Sequence, residues 1–170
     1  MENNMRVLGI DPGTNRIGYG LVSSSKNTLT AIAHGVIEIP PKTETQHRIK
    51  SLGDQFSQLL KNLKPTHIGI ESLFFSKNKK TALSVAEARG VLLFLALQCN
   101  VPVIECQPNK VKMAVTNYGN ADKRAVAKMV RKILRIPEIE GRDDASDALA
   151  VAITAANEFR EQKNNGRIGG

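Results

Sequence analysis

The sequence contains little of what a thiolate metal site or a disulfide framework would need. It has two cysteines and three histidines in 170 residues. Cys99 and Cys106 show no Cys-x-x-Cys or Cys/His spacing, which predicts reduced core thiols in a cytosolic protein. His34 and His47 have no acidic or cysteine neighbours that would complete a ligand set, and His67 fits a core or edge position of a strand. A zinc centre is therefore not expected.

Long hydrophobic runs are also missing. The longest uninterrupted apolar stretch, 90–97, is far shorter than the roughly 20 residues that a membrane-spanning helix needs. Residues 1–6 carry no apolar segment of the kind found in signal peptides. We therefore expect a cytoplasmic protein without a membrane partner.

What the sequence has in excess is positive charge. Twenty-four Lys and Arg residues outnumber sixteen Asp and Glu, which gives a formal net charge of +8 and an isoelectric point near 9.7. This balance favours a polyanionic partner such as nucleic acid. The length fits one domain, and a chain of about this size buries roughly 70% of its unfolded surface without disulfide support.

The order of apolar segments predicts an α/β domain with a mixed five-stranded sheet. Three β-rich stretches with short connections predict an antiparallel meander, and two later strands follow helical crossovers that make them parallel to the first. The predicted strands are 5–10, 18–23, 28–39, 67–70 and 101–106, and the predicted helices are 49–63, 81–100, 108–117, 122–134 and one that opens near 143. We place the domain in 1–158 and a polar, frayed tail in 159–170.

Two acidic residues end strands that should run parallel in the sheet. Asp11 closes the first strand before a Pro-Gly turn, and Glu71 closes the fourth. Because ligand sites in open α/β sheets gather beyond the carboxyl ends of parallel strands, we expect both side chains at one edge. Taken alone, Asp11 is explained equally well as a turn-initiating aspartate bonded to its own backbone.

A third group of acids opens the last helix. Asp143, Asp144 and Asp147 are spaced so that two of them share a face, since residues three or four apart differ by about 60° or 40° in direction. Asp in a first helical turn also caps free N–H groups, and this role alone would explain Asp143. The spacing leaves open which neighbour joins Asp147.

Convergence of these carboxylates would require a cation. At about 5 Å and an effective dielectric constant of 20, each ionised pair repels by about 3 kcal/mol. A carboxylate set without His or Cys suits Mg²⁺, or Mn²⁺ in its place, better than zinc. Two such ions about 4 Å apart form the phosphodiester-cleaving arrangement of many nucleases, which agrees with the basic charge of the chain.

Several short motifs follow one another in a fixed order between about residues 5 and 156. They are Leu8-Gly9-Ile10-Asp11-Pro12-Gly13-Thr14 with Gly18-Tyr19-Gly20, Ile70-Glu71 with Phe74 and Lys77-Asn78, Ala88-Arg89-Gly90-Val91, Gln107 with Lys110-Val111-Lys112, and Asp144-Ala145-Ser146-Asp147-Ala148-Leu149-Ala150. Together they resemble the RuvC-type Holliday-junction resolvases. The resemblance implies a ribonuclease-H-like fold and a homodimer that nicks two symmetric strands of four-way junction DNA with Mg²⁺, in homologous recombination and DNA repair. It also implies a branch-migration motor complex as a partner.

Carried over position by position, the resemblance implies four metal-binding catalytic acids, Asp11, Glu71, Asp144 and Asp147, with two ions in each active site. It selects Asp144 over Asp143, a choice that helix geometry left open.

The resemblance also implies DNA contacts. Phe74 is the junction-side aromatic, expected to stack on an unpaired base beside Lys77. The alternative is that one Phe of this segment seals the core under a loop, which fits Phe75 better than Phe74. Lys112 and Lys123 match positions that approach the DNA backbone or the charge that develops near the metals. The apolar helix 81–100 is either covered within the domain or shared across a two-fold dimer interface.

Two other classes of function fit parts of the pattern. An actin-like phosphotransferase also begins with a strand, an acid and a Gly-Thr turn, but such enzymes need two related domains, and this chain has no second turn of that kind. A non-catalytic junction-binding protein would use only the basic face, with the acids as caps and turns. Binding of ATP would favour the first class, and junction binding without nicking the second.

Overall fold

One mixed sheet with helices on both faces organises the protein. The computed structural model describes residues 4–26, 28–73, 79–139 and 142–166. Its elements are β1 (Met5–Asp11), β2 (Arg16–Ser25), β3 (Thr28–Glu38), α1 (Thr45–Leu63), β4 (His67–Glu71), α2 (Lys79–Gln98), β5 (Val103–Cys106), α3 (Pro108–Thr116), α4 (Lys123–Leu134) and α5 (Arg142–Asn165).

The strand order in the sheet is β3-β2-β1-β4-β5. The pairs β1–β2 and β2–β3 are antiparallel, whereas β1–β4 and β4–β5 are parallel. The predicted meander with two added parallel strands is confirmed. The carboxyl ends of β1 and β4 therefore meet at one edge, where Ile10 lies opposite Ile70 and each strand ends in an acid one residue later.

Alternation along the strands divides the core into two layers. Val7 packs with α3, α4 and α5, while Leu8 and Ile10 pack with α1 and α2 on the opposite face. Because successive side chains of a strand point to opposite faces, Asp11 shares the face of Val7 and Gly9, which is the face that α5 covers.

Glycines let α5 lie directly on the central strands. A Cβ on Gly9 would stand 2.1 Å from the Ala148 carbonyl oxygen, and one on Gly69 would stand 2.5 Å from Cβ of Ala155. A Cβ on Gly18 would stand 2.0 Å from the carbonyl oxygen of Asp144. Any side chain there would push α5 away, so these glycines fix how closely the helix approaches the strand ends.

Two expectations need correction. Cys99 is exposed rather than a core thiol, because it follows the end of α2, whereas Cys106 is buried as expected; both are free. The polar segment expected to fray from 159 remains helical to Asn165, and the ring of Phe159 packs 4.4 Å from that of His67. This contact ties the C-terminal half of α5 to β4. The domain boundary near 158 stays a prediction.

Helix α2 is apolar on both its inner and its outer side. Over Thr81–Gln98 it is long and apolar enough to cross a membrane by length and composition alone, which the uninterrupted apolar run did not lead us to expect. The two charged side chains in this window are paired with other elements: Glu87 with Arg48 of α1 at 2.8 Å, and Arg89 with Glu105 of β5 at 2.6 Å. The buried side consists of Ala88, Leu92 and Ala96. These contacts hold one side of the helix to the domain and leave the other exposed.

Candidate active site

Asp11 and Glu71 point toward the same helix. Glu71 shares the strand face of Gly69, which packs on α5, just as Asp11 shares the face of Gly9. The two carboxyl groups lie close enough that Glu71, after burial, is the largest cause that raises the pKa of Asp11.

The first turns of α5 bring two further acids to this edge. The main chain of Asp144 lies against Gly18, the cross-strand partner of Asp11, and Asp147 lies one turn further along α5. Asp144 and Asp147 are partly buried, whereas Asp143 is exposed. The difference follows from the helix, since only the side that faces the sheet is shielded from solvent.

A cleft of about 550 Å³ opens beside these acids. It is lined by Asp11, Glu71 and Asp147 together with Lys112 of α3 and Lys123 of α4. Lys123 is the first residue of its helix, directly after Asp122, whose carboxylate caps the helix by accepting a 2.8 Å hydrogen bond from the Ala125 backbone. Five of the residues predicted for the site therefore share one cleft.

Two cations already contact the acids of α5. Nζ of Lys123 donates to Oδ2 of Asp147 at 3.1 Å, and Nη2 of Arg16 donates to Oδ2 of Asp144. Nε of Arg16 lies 3.7 Å from Glu38. Within the described ranges, no three Asp, Glu, His or Cys side chains form a ready ligand set for a metal ion. Two of the four acids are engaged by cations in this state.

The strongest electrostatic perturbation falls on Asp11. Burial, and then repulsion from Glu71, Asp147 and Asp144, raise the pKa of Asp11 from 3.8 to about 8, although Lys123 acts in the opposite direction. Three acids from β4 and α5 thus act on one carboxyl group at the end of β1. At neutral pH without metal, Asp11 holds a proton.

The pKa values of two other acids move in the same direction. Burial, then Asp147, raises the pKa of Glu71, against the hydrogen bond from Asp11 and the charges of Lys123 and Lys112. Burial also raises the pKa of Asp147, against its hydrogen bond with Lys123. That hydrogen bond is in turn the main cause that raises the pKa of Lys123. The raised pKa values of these three acids show that their partly buried surroundings disfavour the ionised carboxylates.

The electrostatics also bear on the choice between Asp143 and Asp144. Asp143 contributes more than Asp144 to the raised pKa of Asp147. However, Asp144 is among the acids that raise the pKa of Asp11, and it is partly buried while Asp143 is exposed. Because Asp11 is the group on which the other acids converge, we favour Asp144 as the fourth member.

Sequence reasoning missed Arg16. The signal was the tight turn between two antiparallel strands, since Gly18 pairs with Asp11 and Arg16 must lie just beyond the same edge. Phe74 and Lys77, predicted as DNA contacts, lie outside the described residues.

The donor set fits divalent cations of the Mg²⁺ type. All four acids offer oxygen ligands, and burial together with repulsion from the other three acids keeps the pKa of Asp11 high. A divalent ion would remove this repulsion and favour the ionised form, because an opposite charge nearby lowers the pKa of a carboxyl group.

Acids gathered beyond parallel strand ends, with lysines in the same cleft, define this molecule as a nuclease domain of the ribonuclease-H-like class. The family model for crossover junction endodeoxyribonuclease RuvC matches residues 7–155. The chain belongs to this RuvC family.

Known relatives match nearly the whole chain. A crossover junction endodeoxyribonuclease RuvC from Fusobacterium nucleatum is 41% identical over 163 residues, which cover 96% of this chain and 86% of that protein. The protein of the same description from Thermosipho melanesiensis is 44% identical over 156 residues, covering 92% and 99%. The structure of Thermus thermophilus RuvC in complex with a Holliday junction substrate matches with a TM-score of 0.85 at 31% identity, covering 93% and 96%. The residues matched by the family model, 7–155, include all four acids and both lysines of the site.

Proposed function

We propose that this chain resolves four-way DNA junctions by nicking two symmetric strands in a reaction that depends on divalent metal ions, and that it acts as a homodimer. The main support is the convergence of Asp11, Glu71, Asp144 and Asp147 at one edge of the sheet in a member of the RuvC family. A related protein has been solved with a Holliday junction substrate, which makes four-way junction DNA the expected ligand.

The four acids are the proposed ligands of Mg²⁺, for which Mn²⁺ would substitute, and four carboxylates suit two ions in each active site. When bound, such ions supply an activated water and stabilise the leaving oxygen in phosphodiester hydrolysis. Asp11 is acted on electrostatically by the three other acids, so it is the acid that would contribute most to holding the ions. Its position at the end of a buried strand holds the carboxylate in place.

Lys112 and Lys123 are the proposed cations for the DNA phosphate. Both line the cleft, and both act electrostatically on Glu71. A fixed positive charge stabilises the charge that develops on a phosphate during hydrolysis, and it does so most effectively where water is partly excluded. Lys123 must leave Asp147 for this role, and its exposed side chain gives it room to move. Phe74 and Lys77 remain the predicted DNA contacts of the segment after β4.

The exposed side of α2 supports the homodimer. Leu83, Phe94 and Leu97 are 73%, 63% and 63% exposed, and at 100° per residue they fall within about 60° of one another. Gly90 lies in the same stripe, and a Cβ there would have nothing within 4 Å, so another helix could approach closely. A two-fold dimer through this stripe would cover it and provide one active site for each of two symmetric strands.

A junction-cleavage assay with Asp11→Asn tests the proposal. Loss of an outer partner of a metal ligand costs about 10- to 100-fold, so loss of a direct ligand should reduce the cleavage rate in Mg²⁺ by more than about 100-fold. The variant should still bind the junction. Asp54→Asn removes a carboxylate that pairs with Lys50 on the surface of α1, and it should cleave like the parent.

Parent-like cleavage by Asp11→Asn would refute the metal mechanism. Junction binding without nicking by the parent, in both Mg²⁺ and Mn²⁺, would instead identify a non-catalytic junction-binding protein. The cytoplasmic location and the branch-migration motor partner are carried with this proposal as predictions.

A further inference from the structure

A second polar pocket lies between the hairpin of β2 and β3 and the C-terminal parts of α4 and α5. Its volume is about 260 Å³, and Thr28, Arg135, Asn157 and Arg160 supply its polar groups. No acidic residue of the described chain lines it. Two arginines with two neutral donors and no carboxylate form an environment suited to an anion.

Arg160 is the residue of this pocket that indicates a bound ligand. Its Nη2 atom is shielded from solvent and has no hydrogen-bond partner. Within the described residues, its side chain takes part in no ion pair or hydrogen bond. Removing a guanidinium N–H from water without giving it an acceptor is unfavourable, so such a group is normally satisfied by something that binds there.

Arg135 supplies the second guanidinium from the end of α4. It is the C-cap residue, and its left-handed backbone turns the chain out of the helix while its N–H bonds to the Arg131 carbonyl oxygen. The side chain is exposed and lines the pocket. The planar fork of Arg matches the oxygen pairs of a phosphate, and a Thr hydroxyl and an Asn amide add neutral donors.

The exposed face of α4 connects this pocket to the catalytic cleft. Between Lys123 and Leu134 the helix has no acidic residue. Its exposed basic side chains are Lys123, Arg124, Lys128, Arg131 and Lys132. At one end of α4, Lys123 contacts Asp147 of α5, and at the other end Arg135 and Arg160 share the pocket. The two helices therefore run side by side in the same direction.

The distance between the two places fits one arm of a DNA duplex. Twelve residues of α-helix separate Lys123 from Arg135, which is about 18 Å. Phosphates of one strand follow a helical path around the duplex, so a straight span of this length corresponds to phosphates a few nucleotides apart. We propose that Arg135 and Arg160 bind a backbone phosphate of a junction arm, a few nucleotides from the phosphate in the catalytic cleft. This inference rests on the proposed junction-cleaving function.

Junction binding in EDTA tests the inference independently of cleavage. Arg160→Gln and Arg135→Gln should each weaken junction binding by about 5- to 20-fold, and each should reduce the slope of log affinity against log salt by about 1. Lys61→Gln removes the same charge from an exposed position on α1 and should bind like the parent. Arg135 is exposed, so its variant keeps the test valid if Arg160→Gln folds poorly.

A neutral methylphosphonate, introduced singly at positions three to seven nucleotides from the cut, identifies the phosphate. At one position it should weaken binding by the parent and have no further effect on Arg160→Gln. Parent-like binding and salt slope in both arginine variants would overturn the inference. A pocket that binds only free anions would also overturn the inference. In that case inorganic phosphate would raise the melting temperature of the parent but not of Arg160→Gln, and the junction affinity of the two proteins would be the same. Absence of cleavage by the parent in Mg²⁺ would instead refute the proposed function and leave the binding result standing.

Discussion

Asp11 should make the metal-free protein less stable as the pH rises. In the unfolded chain this carboxyl group ionises with a pKa near 3.8, whereas in the folded protein burial and the neighbouring acids raise its pKa to about 8. Between these values the folded state holds a proton that the unfolded state has released. The stability that this proton contributes is therefore fully present below about pH 4, and it is lost as the pH rises toward 8.

The size of the effect follows from proton linkage. One proton held only by the folded state lowers the free energy of unfolding by about 1.4 kcal/mol for each pH unit. By pH 7 the loss from Asp11 reaches about 4 kcal/mol, which is a large part of the 5–15 kcal/mol that stabilises a typical domain. Asp11→Asn removes the titrating group, so the free energy of unfolding of this variant, relative to that of the parent, should increase by the same amount for each pH unit.

Urea denaturation in EDTA at pH 5, 6, 7 and 8 measures this difference. Glu71 and Asp147 titrate in both proteins, so the difference between the two curves reports Asp11 and its coupling to Glu71. Asp54→Asn, altered at the exposed pair with Lys50, should follow the parent at every pH. Added Mg²⁺ should stabilise the parent at pH 8 far more than it stabilises Asp11→Asn. Parallel curves for the parent and Asp11→Asn from pH 5 to 8 would refute the reasoning.

Three further predictions concern the acids, the sheet and the dimer. Arg16→Gln should bind Mn²⁺ about fivefold more tightly in the absence of DNA, as measured by calorimetry. The reason is that the substitution removes an ion pair with Asp144, worth about 1 kcal/mol, that competes with the metal. Gly9→Ala should lower the free energy of unfolding in urea by about 3 kcal/mol or more, since its Cβ would meet a backbone oxygen of α5 at 2.1 Å. By contrast, Gly53→Ala in α1 should raise the free energy of unfolding by up to about 1 kcal/mol. Phe94→Glu should convert the dimer to a monomer in sedimentation velocity.

Each of these predictions has a matched control. Lys50→Gln removes a cation from an exposed Asp on α1 and should leave Mn²⁺ affinity unchanged, so an equal change in both variants would contradict competition at Arg16. Met113→Glu places the same charge on a 54% exposed residue of α3 and should leave the dimer intact. A Phe94→Glu protein that sediments as a dimer would exclude the stripe on α2 as the interface. Equal stability of the two glycine variants would contradict the contact between β1 and α5.

Most of the fold could be predicted because its elements are locally consistent. Runs of aliphatic and β-branched residues bounded by turn residues identified the strands, and apolar residues with helical spacing identified the helices, so the strand directions followed from the connections. The misplaced ends depended on distant contacts. The last helix continues to Asn165 through a segment too polar to predict it, and Phe159 holds that segment against His67. Such a contact joins residues far apart in the chain.

The acids could be predicted, but their partners could not. A strand that ends in Asp or Glu is a local pattern, and a pair of acids on one face at the start of the last helix follows from spacing, although spacing left open whether Asp143 or Asp144 joins Asp147. The turn before β2 places Arg16 near the edge of the sheet, but its ion pair with Asp144 joins β2 to α5 across 128 positions of sequence, and no local pattern predicts that partner. The sequence can therefore place an acid at a metal site, whereas the packing of distant elements decides whether that acid is paired with a cation.

The packing itself has a sequence signal, carried by the glycines. Gly9 stands two residues before Asp11, and Gly69 stands two residues before Glu71, so in both strands the glycine and the acid point to the same face. A glycine that faces a helix lets the helix backbone approach the strand, and an acid one pleat further along then faces the first turn of that helix. Repeated in adjacent parallel strands, this pairing indicates more than a turn-initiating aspartate. It predicts which face of the sheet carries the site and that the acids of a packed helix lie within reach of both strand ends.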